Sequence, residues 1–163
     1  MEQRAMEKIH WLGHDGFRID AGKTVYIDPY QISAGQPPAD IILITHEHYD
    51  HLSLDDIASI AGPDTALVAP ASAAGQLKGE VHVVKPGDTV TVKGVKIEAV
   101  PAYNINKDFH PKANGWVGYI ITLDKTRIYH AGDTGIFAGM ELIGARFSPD
   151  FEAMDMPIAT ACP

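Results

Sequence analysis

The segment Thr45-His46-Glu47-His48-Tyr49-Asp50-His51 contains three histidines and two acidic residues. Imidazole and carboxylate groups are the usual protein ligands of zinc, and they also suit iron and manganese. His46 and His48 are one residue apart, so their side chains can point the same way from an extended segment. The spacing therefore predicts that this pair binds a metal ion.

Asp50 and His51 lie just beyond that pair, where the chain turns toward a predicted helix at Ser53. We expect them to face a neighbouring position, because two metal ions about 3.5–4 Å apart can share and activate one water. Glu47 and Tyr49 are expected to point outward or pack. The alternative is a solvated polar loop, but so many ligand groups directly after an apolar strand favour a metal site.

Further ligands must come from other parts of the chain. Asp133 follows a second apolar segment, although taken by itself it would be explained better as a turn residue or helix cap. His110 is the only histidine in the polar loop at residues 103–115, where its alternative is an ordinary loop histidine. The other candidate histidines are His10, His14, His82 and His130.

The elements that would position these residues are mostly short strands. Periodicity and turn residues predict strands at 8–12, 17–20, 24–28, 40–45, 66–68, 81–84, 90–92, 95–99, 116–123, 127–130 and 151–158. Helices are predicted at 53–61, 70–77 and 137–145. Two sheets packed face to face with helices outside would bury these strands in one domain over residues 1–163.

Composition narrows the function classes. The 163 residues carry a formal net charge of −8, which disfavours nonspecific binding to nucleic acid or to an anionic membrane surface. No apolar run approaches the roughly 20 residues that span a bilayer. The single cysteine, Cys162, and a start without a signal-peptide pattern predict a cytoplasmic protein. Self-association stays an open alternative.

The order of these motifs resembles the metallo-β-lactamase-fold hydrolases. The segment 45–51 followed later by Gly132-Asp133-Thr134 carries the resemblance, which runs from about Ile9 to Met140. Ile27-Asp28-Pro29-Tyr30 looks most like the small hydrolases related to ascorbate-6-phosphate lactonase. The resemblance implies an α+β fold, a four-layer αββα sandwich.

The resemblance also implies roles for individual residues. The first metal would be held by His46, His48 and His110, and the second by Asp50, His51 and Asp133. Asp133 would bridge both ions, and Asp50 would also orient the attacking water. His130 is expected to hydrogen-bond a ligand carboxylate, with a strand histidine whose hydrogen bonds are satisfied as an equal alternative. His14 is expected to line the site beneath the cluster.

The implied reaction is hydrolysis of an ester-like bond, a phosphoester or a lactone, with one or two zinc ions, or manganese or iron. The substrate would be a small molecule, with Asn104, Asn106 and Lys107 contacting an anionic group. Family members end with a further loop, a helix and a final histidine, whereas this sequence ends at Pro163, so we expect a shortened domain whose second site lacks a ligand.

Two alternatives remain open. A metal-binding remnant without turnover would explain the missing ligand. A diiron oxidoreductase of the same fold is disfavoured, because redox members tend to replace one first-site histidine by a carboxylate, and His46 and His48 are both present.

Overall fold

Six strands form the first sheet of the computed structural model, which describes residues 7–105, 107–123, 125–137 and 139–153. They are β1 (Ile9–Gly13), β2 (Gly16–Asp20), β3 (Thr24–Ile27), β4 (Ala39–Leu43), β5 (Ala61–Pro70) and β6 (Glu80–Val84), adjacent in that order. Pairing is antiparallel from β1 to β3 and parallel from β3 to β6. The parallel strands therefore end at one common edge.

Five strands form the second sheet. They are β7 (Thr89–Val92), β8 (Val95–Pro101), β9 (Val117–Leu123), β10 (Thr126–His130) and β11 (Phe151–Ala153), again adjacent in chain order. All pairs are antiparallel except the parallel pair β10–β11. The described helices are α1 (Leu54–Ile60), α2 (Ala71–Ala74) and α3 (Gly139–Phe147), and Lys112–Asn114 forms a 3-10 turn.

Successive side chains of β4 alternate between two hydrophobic clusters. Ile41 and Leu43 lie in the cluster between the two sheets, together with residues of β8 and β9. Ile42, with Ile44 just after the strand, packs into a second cluster with Ile57 of α1. A strand buried on both faces must be apolar throughout, which explains the continuous apolar run before the histidine motif.

A third cluster covers the outer face of the second sheet. Ile143 and Phe147 of α3 pack there against Ile120 of β9 and Tyr129 of β10. Helices thus lie outside both sheets, and the predicted αββα sandwich is confirmed.

The helix before β5 begins as the sequence predicts. The Ser53 side chain accepts a hydrogen bond from the backbone N–H of Asp56, and Asp55 and Asp56 lie in the first turn. Both acids favour the positive end of the helix dipole. Because α1 is followed without a break by β5, that strand begins at Ala61 rather than at residue 66.

Other boundaries differ from the sequence expectations. The helix predicted at 70–77 has only four residues, Ala71–Ala74. The last strand covers Phe151–Ala153, and the remainder of the predicted 151–158 lies outside the described residues. β1 is an edge strand, and the Trp11 side chain is 69% exposed.

Two hydrogen bonds join the sheets where β4 ends. The Tyr119 hydroxyl donates to the Ile44 carbonyl at 2.6 Å, and the Val117 N–H donates to the Thr45 carbonyl at 3.2 Å. The start of the histidine segment is therefore held from both sides. Among the described residues, no helix has the length and apolarity needed to cross a membrane. The cytoplasmic location stays a prediction.

Candidate metal centre

The histidine segment leaves β4 in extended form and then turns. Thr45 begins it, with its backbone N–H and its hydroxyl donating to the Asp28 carboxylate at 2.8 and 2.5 Å. The His48 carbonyl then accepts hydrogen bonds from the N–H groups of His51 and Leu52 at 3.0 and 2.8 Å. This turn separates the pair at 46 and 48 from the pair at 50 and 51.

Four side chains form the first group of potential ligands. His46, His48, His110 and Asp133 each offer one donor atom, and these atoms all lie within 4.8 Å of one another. The Nε2 atoms of His46 and His110 lie 3.7 and 3.6 Å from Oδ2 of Asp133. The structure thus brings together the three histidines and the aspartate that the sequence predicts for one side of the centre.

The indole of Trp116 packs against all three histidines of this group. Its ring centroid lies 4.8 Å from those of His46 and His48 and 4.7 Å from that of His110. Trp116 is a buried residue of the core. Its contact with the histidines was not predicted, because the pattern of a strand does not show which loop covers it.

His46 is held in a form that can bind a metal. The Thr45 hydroxyl donates its proton to Asp28, so it accepts from Nδ1–H of His46 at 3.0 Å. Burial, aided by the nearby His51, lowers the pKa of His46 to about 2. The ring is therefore neutral, with the lone pair of Nε2 directed at the cluster.

The loop that carries His110 is closed by Asn104. The Asn104 N–H donates to the His110 carbonyl at 2.8 Å, and the side-chain amide donates to the Phe109 carbonyl at 3.1 Å. Asn104 is buried in this structural role, so the expectation that it contacts substrate is wrong. Lys107 lies over the Phe109 ring, and Asn106 is outside the described residues.

His14, Asp50 and His51 form a second group, again with one donor atom from each within 4.8 Å of the others. Nε2 of His14 lies 3.1 Å from Oδ2 of Asp50. Nε2 of His51 lies 3.2 Å from Oδ1 of Asp133. The two oxygens of Asp133 therefore face the two groups, one each.

Asp28 is a supporting residue to which the sequence analysis assigned no role. Its Oδ2 lies 2.8 Å from Nδ1 of His51 and accepts that proton, which leaves Nε2 facing the cluster. Burial would lower the pKa of His51, but the Asp28 and Asp133 carboxylates raise it to about 11. The sequence feature that could have indicated this role is an acidic residue directly after the apolar strand β3.

His130 bonds to the backbone instead of to a ligand carboxylate. Its Nε2 donates to the Asp15 carbonyl at 2.9 Å, and its Nδ1 accepts from the Gly132 N–H at 3.2 Å. Both ring nitrogens are used, as the alternative of a satisfied strand histidine predicts, rather than in a contact with a metal-binding carboxylate. Asp15 is itself buried, and burial raises the pKa of its carboxyl to about 6.

Several residues of the centre have unusual backbone conformations. His14, Asp28 and His110 have φ values of 49°, 43° and 59°, in the left-handed region that side chains rarely adopt. Gly132, at φ 63°, approaches so closely that an added Cβ would lie 3.0 Å from the Val117 carbonyl oxygen. Strain of this kind is typical of functional sites, and it is not visible in hydrophobic patterns.

The donor atoms fit a metal ion. Nε2 of His46, Oδ1 of Asp50 and Nε2 of His51 are buried without a hydrogen-bond partner. Buried polar atoms are normally satisfied, and mixed imidazole and carboxylate donors suit zinc, manganese or iron. By contrast, His10 and His82 pair with Asp20 and Glu80 at 3.1 and 2.8 Å and belong to neither group.

Comparison with known proteins identifies the family of this chain. Residues 8–145 match the family described as beta-lactamase superfamily domain. UPF0173 metal-dependent hydrolases from Methanoculleus marisnigri and Thermoplasma volcanium are both 37% identical, over 88% and 90% of this chain. The matches cover 65% and 70% of those relatives, so this chain spans about two thirds of their length.

Solved structures show the same fold. A crystal structure from Parabacteroides distasonis has a TM-score of 0.75 and 38% identity, and covers 82% of this chain and 63% of its own. The metallo hydrolase Igni18 from Ignicoccus hospitalis has a TM-score of 0.68 at 23% identity, over 86% of this chain and 66% of its own. The chain thus belongs to the family described as beta-lactamase superfamily domain, and its relatives include the UPF0173 metal-dependent hydrolases.

Proposed function

We propose that this chain is the metal-binding part of a hydrolase that cleaves an ester-like bond with one or two divalent ions. Zinc is the proposed metal, with manganese or iron as alternatives. The observation that carries the proposal is Asp133, whose two carboxylate oxygens face two separate groups of donors. His46, His48 and His110 would hold one ion, and Asp50 and His51 the other.

The chemistry needs an ion to act as a Lewis acid and to lower the pKa of water. The chain's own residues hold and orient the reactants. Oδ1 of Asp50 is buried and has no hydrogen-bond partner, so it can accept a hydrogen bond from the attacking water. Asp133 stays ionised, because His51 beside it holds the pKa of this carboxyl below its usual range despite burial.

Three hydrophobic side chains that lie close to ligand residues in sequence are exposed, and they favour a substrate with an apolar part. Tyr49 follows the ligand His48 and is 61% exposed, and Phe109 precedes His110 and is 40% exposed. Ile136 lies three residues after Asp133 and is 75% exposed. Side chains of this kind favour a lactone or carboxylic ester over a highly charged phosphoester.

Metal content tests the ligand assignment. Purified chain should contain zinc, manganese or iron by elemental analysis, and His48→Ala should lose at least one ion per chain. His82→Ala is the matched control, because His82 also contacts a carboxylate but lies away from the centre. Full metal content in the His48 variant would contradict the proposed site.

Activity tests the reaction. An alkyl-substituted lactone, p-nitrophenyl butyrate and bis-p-nitrophenyl phosphate would be assayed with added zinc or manganese. We expect the two carboxylic esters to be hydrolysed faster, and activity to disappear with a chelator. Bound metal without turnover on any substrate would favour a non-catalytic remnant, and two irons with an oxygen-sensitive spectrum would favour an oxidoreductase.

A further inference from the structure

The turn between β1 and β2 carries His14 to the second group of donors. Nε2 of His14 lies 3.1 Å from Oδ2 of Asp50, and its ring centroid lies 5.3 Å from that of His51. The sequence predicts only that His14 lines the site. The structure instead places its ring nitrogen as close to the carboxylate as neighbouring ligands of one metal ion lie.

The second observation is a pair of buried polar atoms without partners, set among several carboxylates. Oδ1 of Asp50 and Nε2 of His51 are buried and have no hydrogen-bond partner. Asp15, Asp28 and Asp133 also approach His51, with oxygens 3.9, 2.8 and 3.2 Å from its ring nitrogens. A divalent ion bound by the Asp50 carboxylate and by Nε2 of His51 would satisfy this pocket, since imidazole and carboxylate groups are its usual ligands.

The position of His14 is fixed by its neighbours. His14 has a φ of 49°, and the Trp11 indole N–H donates a hydrogen bond to the His14 carbonyl at 2.8 Å. The Tyr30 ring meets the imidazole edge-on at a centroid distance of 5.8 Å. The His14 side chain is 27% exposed, so this side of the centre is open to an ion from solvent.

We infer that His14 is a direct ligand of the second metal ion, together with Asp50 and His51. This inference rests on the proposed function, because it needs a metal to be bound at all. The rival interpretation is that His14 only donates a hydrogen bond to Asp50 and orients that carboxylate. The two differ in what the ring nitrogen contacts once the ion is present.

The test measures binding of two ions to the metal-free 163-residue chain, with zinc by calorimetry and with cobalt by absorption. The wild-type chain should bind two ions. His14→Ala should bind the first ion normally and the second at least about 100-fold more weakly, beyond the usual loss from a supporting residue. His10→Ala should behave as wild type, since His10 pairs with Asp20 in the same hairpin, 3.1 Å away.

His14→Gln separates the two interpretations. Its amide can still donate to Asp50 but is a poor zinc ligand, so a direct ligand role predicts the same loss as His14→Ala. Wild-type affinity for the second ion in His14→Gln would overturn the inference, as would binding of only one ion by the wild type. Circular dichroism checks that each variant is folded, and the glutamine variant decides the question if the alanine variant does not fold.

The His48→Ala variant distinguishes this inference from the proposed function. Loss of the first ion in that variant, with both ions retained at full affinity in His14→Ala, would overturn the role of His14 alone. Retention of full metal content in His48→Ala would remove the basis for both.

Discussion

The two sides of the centre are held by different forces. On one side the three histidine rings at 46, 48 and 110 pack on the buried indole of Trp116. On the other side Asp28 accepts a hydrogen bond from Nδ1 of His51. Oδ2 of buried Asp15 lies 3.9 Å from the same nitrogen. Ring packing is shared by all three histidines of the first set, of which His46 also has a hydrogen bond to the Thr45 hydroxyl, whereas charged hydrogen bonds orient the second set.

This difference has a physical consequence. Aromatic packing keeps rings in place through apolar contact, with little dependence on salt. Buried carboxylates instead need a compensating cation, which His51 provides in part through its raised pKa of about 11. Shortening an apolar side chain should therefore damage the first side, while neutralising a carboxylate should change the second.

The largest effect is expected for Trp116→Ala. Removal of a buried tryptophan should lower the free energy of unfolding by about 3–5 kcal/mol and loosen the three histidines. Urea denaturation would measure the loss, and metal titration should show a weakened first ion. Leu142→Ala is the control, because that side chain is 72% exposed and its loss should change stability by less than about 0.5 kcal/mol. Equal effects of the two substitutions would contradict the packing argument.

The same comparison shows what sequence patterns can predict. The sandwich could be predicted, because continuous apolar runs such as residues 41–44 must be buried on both faces. The histidine segment and Asp133 could be placed together, because both follow the ends of apolar strands. His110 was chosen as the only histidine of its loop, and the structure brings it to the same group.

Other features depend on contacts between distant parts of the chain. The Trp116 contacts, the Asp28 hydrogen bonds and the approach of His14 join residues that no local pattern relates. Asn104 was misassigned because a polar loop residue suggests a solvent-facing role, yet it closes the loop around Phe109 and His110. Such long-range hydrogen bonds have no periodic signature in the sequence.

A second prediction concerns the charge of Asp15. Burial raises its pKa to about 6, so the ionised carboxylate destabilises the folded state above that pH. Asp15→Asn in metal-free protein should therefore raise the free energy of unfolding at pH 8 by about 3 kcal/mol. Urea denaturation between pH 3.5 and pH 8 would measure the gain.

The pH dependence of wild-type stability determines at which pH the gain from Asp15→Asn should appear. Because the folded pKa lies above the unfolded one, the wild type loses stability as the pH rises from about 3.8 to about 6. The advantage of Asp15→Asn should shrink below pH 6 and vanish near pH 3.5. The exposed residue Asp64 supplies the control variant, Asp64→Asn, which should show no such gain. A pH-independent difference would refute the role of the buried charge.

The smallest effect, and the most selective one, is expected for Asp28→Asn. Asp28 accepts from the N–H and the hydroxyl of Thr45 and from Nδ1 of His51. An amide offers only one oxygen, so its NH2 group must face one of these buried donors. The negative charge that holds the proton on Nδ1 of His51 is lost as well.

Affinity for the second ion should consequently fall about 10–100-fold, the usual loss when a residue that orients a ligand is replaced. The first ion should be affected several-fold less, because Trp116 packing still orients its histidines. Calorimetric zinc titration measures both steps, and Asp40→Asn is the control, since Asp40 accepts from the Thr24 N–H away from the centre. Equal weakening of both ions would mean that Asp28 supports the whole segment through Thr45 rather than the second side through His51.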